Sequence, residues 1–300
     1  MFLQQLVNGL TLGSVYALIA LGYSMVYGIL ELINFAHGEI YMLGAYLGII
    51  FFAFFTAAGL TAYNLPLALM LTFMLSVLFC AAYGFTIEKI AYKPLRKAPR
   101  LSPLISAIGM SIFLQNYVML TQGATDKVFP HLFGAAGLEF LSVRMTYLQI
   151  TIIVVSIVLM IALRVFIRKT RMGKAMRAVA QDKVMASLVG INIDTVISLT
   201  FVIGSGLAAV AGLMVAMYYG LVNYSIGYIA GIKAFTAAVL GGIGSIRGAM
   251  FGGILLGLVE SFGSSYLSSE YKDAYAFILL IIVLLVKPGG LFGKAELEKV

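Results

Sequence analysis

Charge, cysteine and histidine are all scarce in this chain of 300 residues. Charged side chains make up 11% of it, against about 25% in ordinary soluble domains. No hydrophilic stretch is long enough for a soluble catalytic domain. The single cysteine, Cys80, lies inside an apolar run and can form no intrachain disulfide. The two histidines, His37 and His131, are not near each other in the sequence and make a poor start for a metal site. A phosphate loop is also missing. Gly241-Gly242-Ile243-Gly244-Ser245 lacks the Gly-Lys-Ser/Thr ending, and no Walker motif occurs elsewhere. The N-terminus has no basic region followed by a small-residue cleavage site, so no cleavable signal is expected.

What is present is hydrocarbon. The chain is 62% hydrophobic, with a mean hydropathy of +1.03. Its apolar runs are about 20 residues long, the length of membrane-spanning helices rather than of alternating barrel strands. The expected fold class is therefore all-α: one polytopic helical membrane domain over residues 1–300. Expected spans are Leu6–Leu30, Ile40–Ala58, Asn64–Thr86, Pro103–Leu120, Thr146–Phe166, Val196–Val222, Ala249–Leu267 and Ala274–Val286. The segment Ile232–Ile246 is too short and glycine-rich for a standard span, which leaves eight or nine crossings.

The net charge of +8 is not nucleic-acid affinity, because the cations cluster in a few loops, as membrane orientation requires. Loops 88–101 and 168–194 are basic and are expected on the cytoplasmic side. Lys287, Lys294 and Lys299 put the C-terminus there too. Loop 121–145 is nearly neutral and fits the outside.

The run Arg168–Asp194 has helical periodicity with an interruption. Met172, Ala175, Met176 and Ala180 share one face, and Arg171, Lys174 and Arg177 lie opposite. Lys183 would fall on that apolar face if the helix continued. A break near Gln181 is expected, with Asp182 capping a second short helix that carries Val184, Met185, Leu188 and Val189 and ends at Gly190. Such a pair suits docking to another protein or lying on anionic lipid.

Polar residues near the spans are the other candidates, since ionisable groups at membrane depth are functional by default. Glu31, Asn34, His37 and Glu39 form one cluster. His37 and Glu39 do not share a helix face, so the cluster is expected to form a turn, with Asn34 and His37 capping helix ends and Gly38 permitting the bend. Glu260 lies within a span at a cost on the order of 2.5–3.5 kcal/mol. It is expected to face the bundle interior, bonding to a neighbouring helix or lining a pathway. Lys233 is expected to snorkel to the interface. Gln115, Asn116 and Tyr117 suit either a polar path or bonds between helices. Gly204-Ser205-Gly206 has the composition of a nucleophile turn, without a well-placed base.

Several motifs carry a family resemblance. They are Asn8–Ser14 (NGLTLGS), Tyr23–Gly28 (YSMVYG), Ile33–Glu39 (INFAHGE), Ile105–Asn116 (ISAIGMSIFLQN), Arg171–Arg177 (RMGKAMR) and Ala234–Ser245 (AFTAAVLGGIGS). Together they resemble, over nearly the whole chain, the permease subunits of bacterial branched-chain amino acid ABC importers of the high-affinity Liv type, H-type subunit. The resemblance implies an ABC permease fold in the inner membrane. It makes the central basic loop the coupling loop that seats on an ATPase, with Arg171, Gly173, Lys174, Arg177, Ala178, Asp182, Ala186, Leu188, Gly190 and Ile191 as its residues. The Glu-Ala-Ala signature of other ABC permeases is not legible there. Also implied are a second homologous permease subunit, two ATPase subunits and a periplasmic amino-acid-binding protein. ATP and Mg would be held by partners, with no cofactor or metal on this chain.

The expected function is transport of leucine, isoleucine or valine by alternating access. An ion-coupled secondary transporter would use Glu260 as its coupling acid. An intramembrane hydrolase would use His37 with a serine.

Overall fold

The computed structural model describes residues 1–293 except 97, 100, 131, 133, 135, 141 and 142. The expectations resting on Lys97, Arg100, His131, Lys294 and Lys299 lie outside the described residues. The chain forms α1 (Phe2–Leu30), α2 (His37–Ala57), the single turn α3 (Leu60–Tyr63), α4 (Leu65–Ile87), α5 (Leu101–Gln122), α6 (Tyr147–Lys169), α7 (Arg171–Gln181), α8 (Lys183–Leu188), α9 (Ile193–Tyr219), α10 (Ile226–Gly241), α11 (Ile246–Tyr266) and α12 (Lys272–Val286). Short strands β1 (Lys127–Val128), β2 (Gly137–Phe140), β3 (Val143–Thr146) and β4 (Leu221–Val222) pair as β1–β4 and β2–β3, both antiparallel.

Among the described residues, seven helices are long and apolar enough to cross a membrane. With α10 at 16 residues and α12 at 15, these make up the bundle. Local chemistry sets the starts of several. Asn64 accepts from the Leu67 amide at 3.0 Å ahead of Pro66 in α4, and Thr146 with Gln149 forms a capping box on α6. Basic loop 88–101 is shorter than expected. After α4 the chain continues as a π turn over Glu88–Tyr92 and a 3-10 turn over Lys93–Leu95. The bend after α1 is at Glu31, whose φ of 60° places it in the left-handed region, and not at Gly38.

The core consists of α1, α9, α10, the inner face of α11 and the first half of α2, while α4, α5, α6 and α12 turn broad apolar faces outward. Contact between core helices depends on small residues, as it must in lipid, where apolar burial gives no drive to associate. A Cβ on Gly257 would sit 2.2 Å from the Gly13 amide nitrogen, so α1 and α11 touch backbone to backbone. They run antiparallel, with Gly9 against Leu258 and Gly13 against Ile254.

The contacts define two ends. Lys183 Nζ reaches the Leu30 carbonyl at 3.5 Å, Lys93 pairs with Asp194 at 2.7 Å, and the Leu291 amide donates to the Leu240 carbonyl at 2.9 Å. Both basic loops and the chain past α12 therefore share one end. At the other, Gln4 Nε2 donates to the Arg144 carbonyl at 3.0 Å, and the Phe129 amide donates to the Gly220 carbonyl at 2.9 Å.

Two helices do not start at an end. The His37 ring packs against Gly22 of α1 and Gly204 of α9. From there to Leu30 is about 12 Å along α1 at 1.5 Å per residue. The chain therefore turns at Glu31 and re-enters before α2 begins. Likewise α10 starts with Gly227 against Gly38 and runs toward the basic end, where Gly244, just past α10, meets Gly28.

Candidate functional site

The central basic loop is two helices joined at a capped corner, as its sequence implies. The Thr170 hydroxyl accepts from the Gly173 amide at 3.0 Å and starts α7. A Cβ on Gly173 would lie 2.4 Å from the Phe166 and Ile167 carbonyls, so this corner is as tight as backbone permits. Asp182 ends α7 and caps α8, its Oδ1 accepting from the Met185 amide at 2.9 Å. Gly190, at φ 84°, closes α8. Its amide donates to the Ser187 carbonyl and that of Ile191 to the Ala186 carbonyl, both at 3.0 Å, the paired bonds of a Schellman motif.

The structure divides the ten predicted coupling residues. Gly173 and Ala186 are buried, Ala178 and Ile191 half-buried, and these brace the loop against the bundle. Arg171, Lys174, Arg177, Asp182, Leu188 and Gly190 are exposed. The buried face of α7 is centred on Met176 and Val179, so Ala180, expected on the apolar face, instead points out. On α8 the apolar residues face solvent: Leu188 is 74% and Val189 75% exposed, with Val184 and Met185 beside them.

The loop is tied to the rest by charge. Asp194, in the first turn of α9, pairs with Lys93 at 2.7 Å and with Arg96. Arg96 also pairs with the buried Glu88 of the π turn, whose Oε2 accepts from the Ser198 hydroxyl at 2.7 Å. Sequence reading missed this network, because Glu88 lies in a basic stretch and its partners are 8 and 110 residues away.

Glu260 faces the interior, as expected, and is fully buried. Its carboxylate receives Lys233 Nζ at 3.0 Å, Lys272 Nζ at 3.1 Å and the Tyr16 hydroxyl at 3.0 and 3.1 Å. Lys233 also pairs with Asp273 at 2.6 Å. Lys233 therefore does not snorkel outward: it is 6% exposed and joins α10 to α11 and α12. The charge of Glu260 holds it there, since a buried ammonium needs a counter-ion.

The Asn34, His37, Glu39 cluster is also buried, but it does not do what its sequence suggests. The N-cap of α2 is Ala36, with no side-chain cap, and His37 is the first helical residue. Asn34 caps nothing; its Oδ1 accepts from the Tyr92 hydroxyl at 2.8 Å. Glu39 Oε1 accepts from the Ser111 hydroxyl of α5 at 3.0 Å. Among the described residues, Asn34 Nδ2, His37 Nε2 and Glu39 Oε2 have no hydrogen-bond partner; His37 Nε2 is turned toward Gly22 of α1 and Glu39 Oε2 toward Gly227 of α10. Gln115 is half-buried and Asn116 exposed on α5, where Asn116 Nδ2 donates to the Ile112 carbonyl of its own helix at 2.8 Å. Gly204-Ser205-Gly206 is uninterrupted helix within α9, so no nucleophile turn exists there.

The description of the family model that matches residues 5–284 is "Branched-chain amino acid transport system / permease component". The chain is 54% identical to the high-affinity branched-chain amino acid transport system permease protein LivH of Salmonella typhimurium, over 100% of this chain and 98% of that protein. It is 53% identical to the permease protein BraD of Pseudomonas aeruginosa, with the same coverage. A probable LivH from Methanocaldococcus jannaschii is 27% identical over 92% of this chain and 88% of that protein. Buried helix starts, an internal ion-pair network and a capped basic loop are thus features of a chain that belongs to the permease-component family of branched-chain amino acid transport systems.

Proposed function

We propose that this chain is the membrane-spanning half of an ATP-driven importer that moves leucine, isoleucine and valine into the cytoplasm by alternating access. Its partners are a second, homologous permease subunit, two ATPase subunits and a periplasmic amino-acid-binding protein. The chain carries no cofactor; ATP and Mg sit on the ATPase subunits. The basic loops and the end of α12 face the cytoplasm, where positive loops are retained.

One observation carries the reading. The α8 turn holds Val184, Met185, Leu188 and Val189 in solvent, although the loop around them is polar. Its caps at Asp182 and Gly190 make that apolar face rigid. Exposed apolar residues on a fixed helix suit a groove on a protein. The cations Arg171, Lys174 and Arg177 are displayed on the adjoining α7. Motion of the ATPase would reach the bundle through Lys183 to the end of α1 and through Asp194 to Lys93 and Arg96.

The test is Leu188→Asp. Membrane insertion and yield should match wild type, while affinity for the ATPase subunits falls roughly 30-fold or more, the loss of one interface hot spot. If Leu188→Asp copurifies with a full complement of ATPase and imports leucine normally, α8 is not the docking element.

A further inference from the structure

The two helices that begin inside the bundle begin against each other. A Cβ on Gly38 would lie 2.3 Å from the Gly227 carbonyl oxygen, and one on Gly227 would lie 2.4 Å from Glu39 Oε2. Both helix starts lack a side-chain cap. α1, α3 and α12 lack one too, while α4, α6, α7, α8, α9 and α11 each have one; what is particular to α2 and α10 is that their starts meet inside the bundle. Helix N-termini carry partial positive charge and unsatisfied amides. Two such ends buried together make a place for an anion, and broken helices in transporters use their starts in this way.

A second observation is independent of the helix ends. Glu39 is completely buried and, among the described residues, forms no salt bridge. One of its oxygens is satisfied by Ser111 and the other is free. Beside it in the same re-entrant turn, Asn34 Nδ2 is also unpartnered among the described residues, on a side chain 1% exposed. Buried polar atoms are rarely left unpaired without reason. Here an acceptor on Glu39 and a donor on Asn34 lie in one re-entrant turn, beside two helix starts.

We propose that the α2–α10 junction is a transient site for the zwitterionic backbone of the transported amino acid. Glu39, with Ser111, receives the α-ammonium, and the amide ends of α2 and α10, with Asn34, receive the α-carboxylate. Gly38, Gly227 and Gly231 close the junction in this structure. Occupancy therefore requires α10 to part from α2, which places the site within the alternating-access step. This inference rests on the importer reading.

The test uses the assembled permease–ATPase complex in detergent without binding protein, and measures saturable binding of radiolabelled leucine and of 4-methylpentanoate, which lacks the amine. Wild type should bind leucine roughly tenfold or more tightly than 4-methylpentanoate, because only leucine can use Glu39. Glu39→Gln should remove that preference, with leucine binding weakened. If Glu39→Gln does not assemble, Glu39→Asp and Ser111→Ala should each narrow the preference. Equal binding of the two ligands by wild type overturns the proposal, as does a leucine preference that survives in Glu39→Gln. So does an absence of saturable binding in a complex that imports leucine when binding protein is added. A complex that imports no branched-chain amino acid even then counts against the importer reading itself.

Discussion

Glu260 and Glu39 are both fully buried acids in the same bundle, yet their surroundings are opposite. Glu260 is satisfied by two lysines and a tyrosine drawn from α1, α10 and α12. Glu39 has one serine hydroxyl, a free oxygen and Gly227 of α10 packed against it. A charge that is fully paired fixes helices to one another; a charge left half-paired, beside uncapped helix starts, is available to something else. The comparison separates structure from function more sharply than burial does.

Removing the main counter-ion of Glu260 should have the largest effect. Lys233→Met leaves a buried carboxylate short of a partner and should cost about 3–5 kcal/mol of stability, read by reversible unfolding in mixed micelles. Adding Glu260→Gln to that variant should return a large part of the loss, because the charges then left, on Lys272 and Asp273, have access to solvent. A double variant no more stable than Lys233→Met would mean that the network is not an ion-pair lock.

The same conservative change at both acids sharpens the contrast. Glu260→Gln removes the charge from three hydrogen bonds and should destabilise by about 2–3 kcal/mol. Glu39→Gln keeps the Ser111 bond, breaks no ion pair and should cost less than about 1 kcal/mol. Equal losses in thermal unfolding of the two purified variants would erase the distinction drawn here. The smallest change is expected at Asn116, which faces outward on α5 and bonds to Ile112 of its own helix. Asn116→Ala should stay within about 0.5 kcal/mol and leave import unaltered.

Much of the candidate coupling site was legible in the residues. The break at Asp182 and the stop at Gly190 are local events, set by an aspartate that caps the next turn and a glycine that takes a left-handed φ. The face of α7 was read one position out at Ala180, because periodicity gives a direction and packing against α1 and α9 selects the residue. The polar cluster was located but misread. Nothing in Ile33–Glu39 says that the chain turns back into the bundle, so His37 was expected as a cap at a surface and lies instead against Gly22 and Gly204.

The sequence by itself determined the membrane setting, the positions of nearly all the spans, the sharing of one end by both basic loops and the two-helix form of the central loop. Each of these depends on hydrocarbon content or on residues within a turn or two of one another. Only the tertiary structure decided that Lys233 pairs with Glu260 27 residues away, that Tyr16 does so across 244, and that Glu39 has no cation beside it among the described residues. Those outcomes depend on which helices meet at which depth. That depth is set by glycine contacts such as Gly13 with Gly257 and Gly38 with Gly227, between helices far apart along the chain.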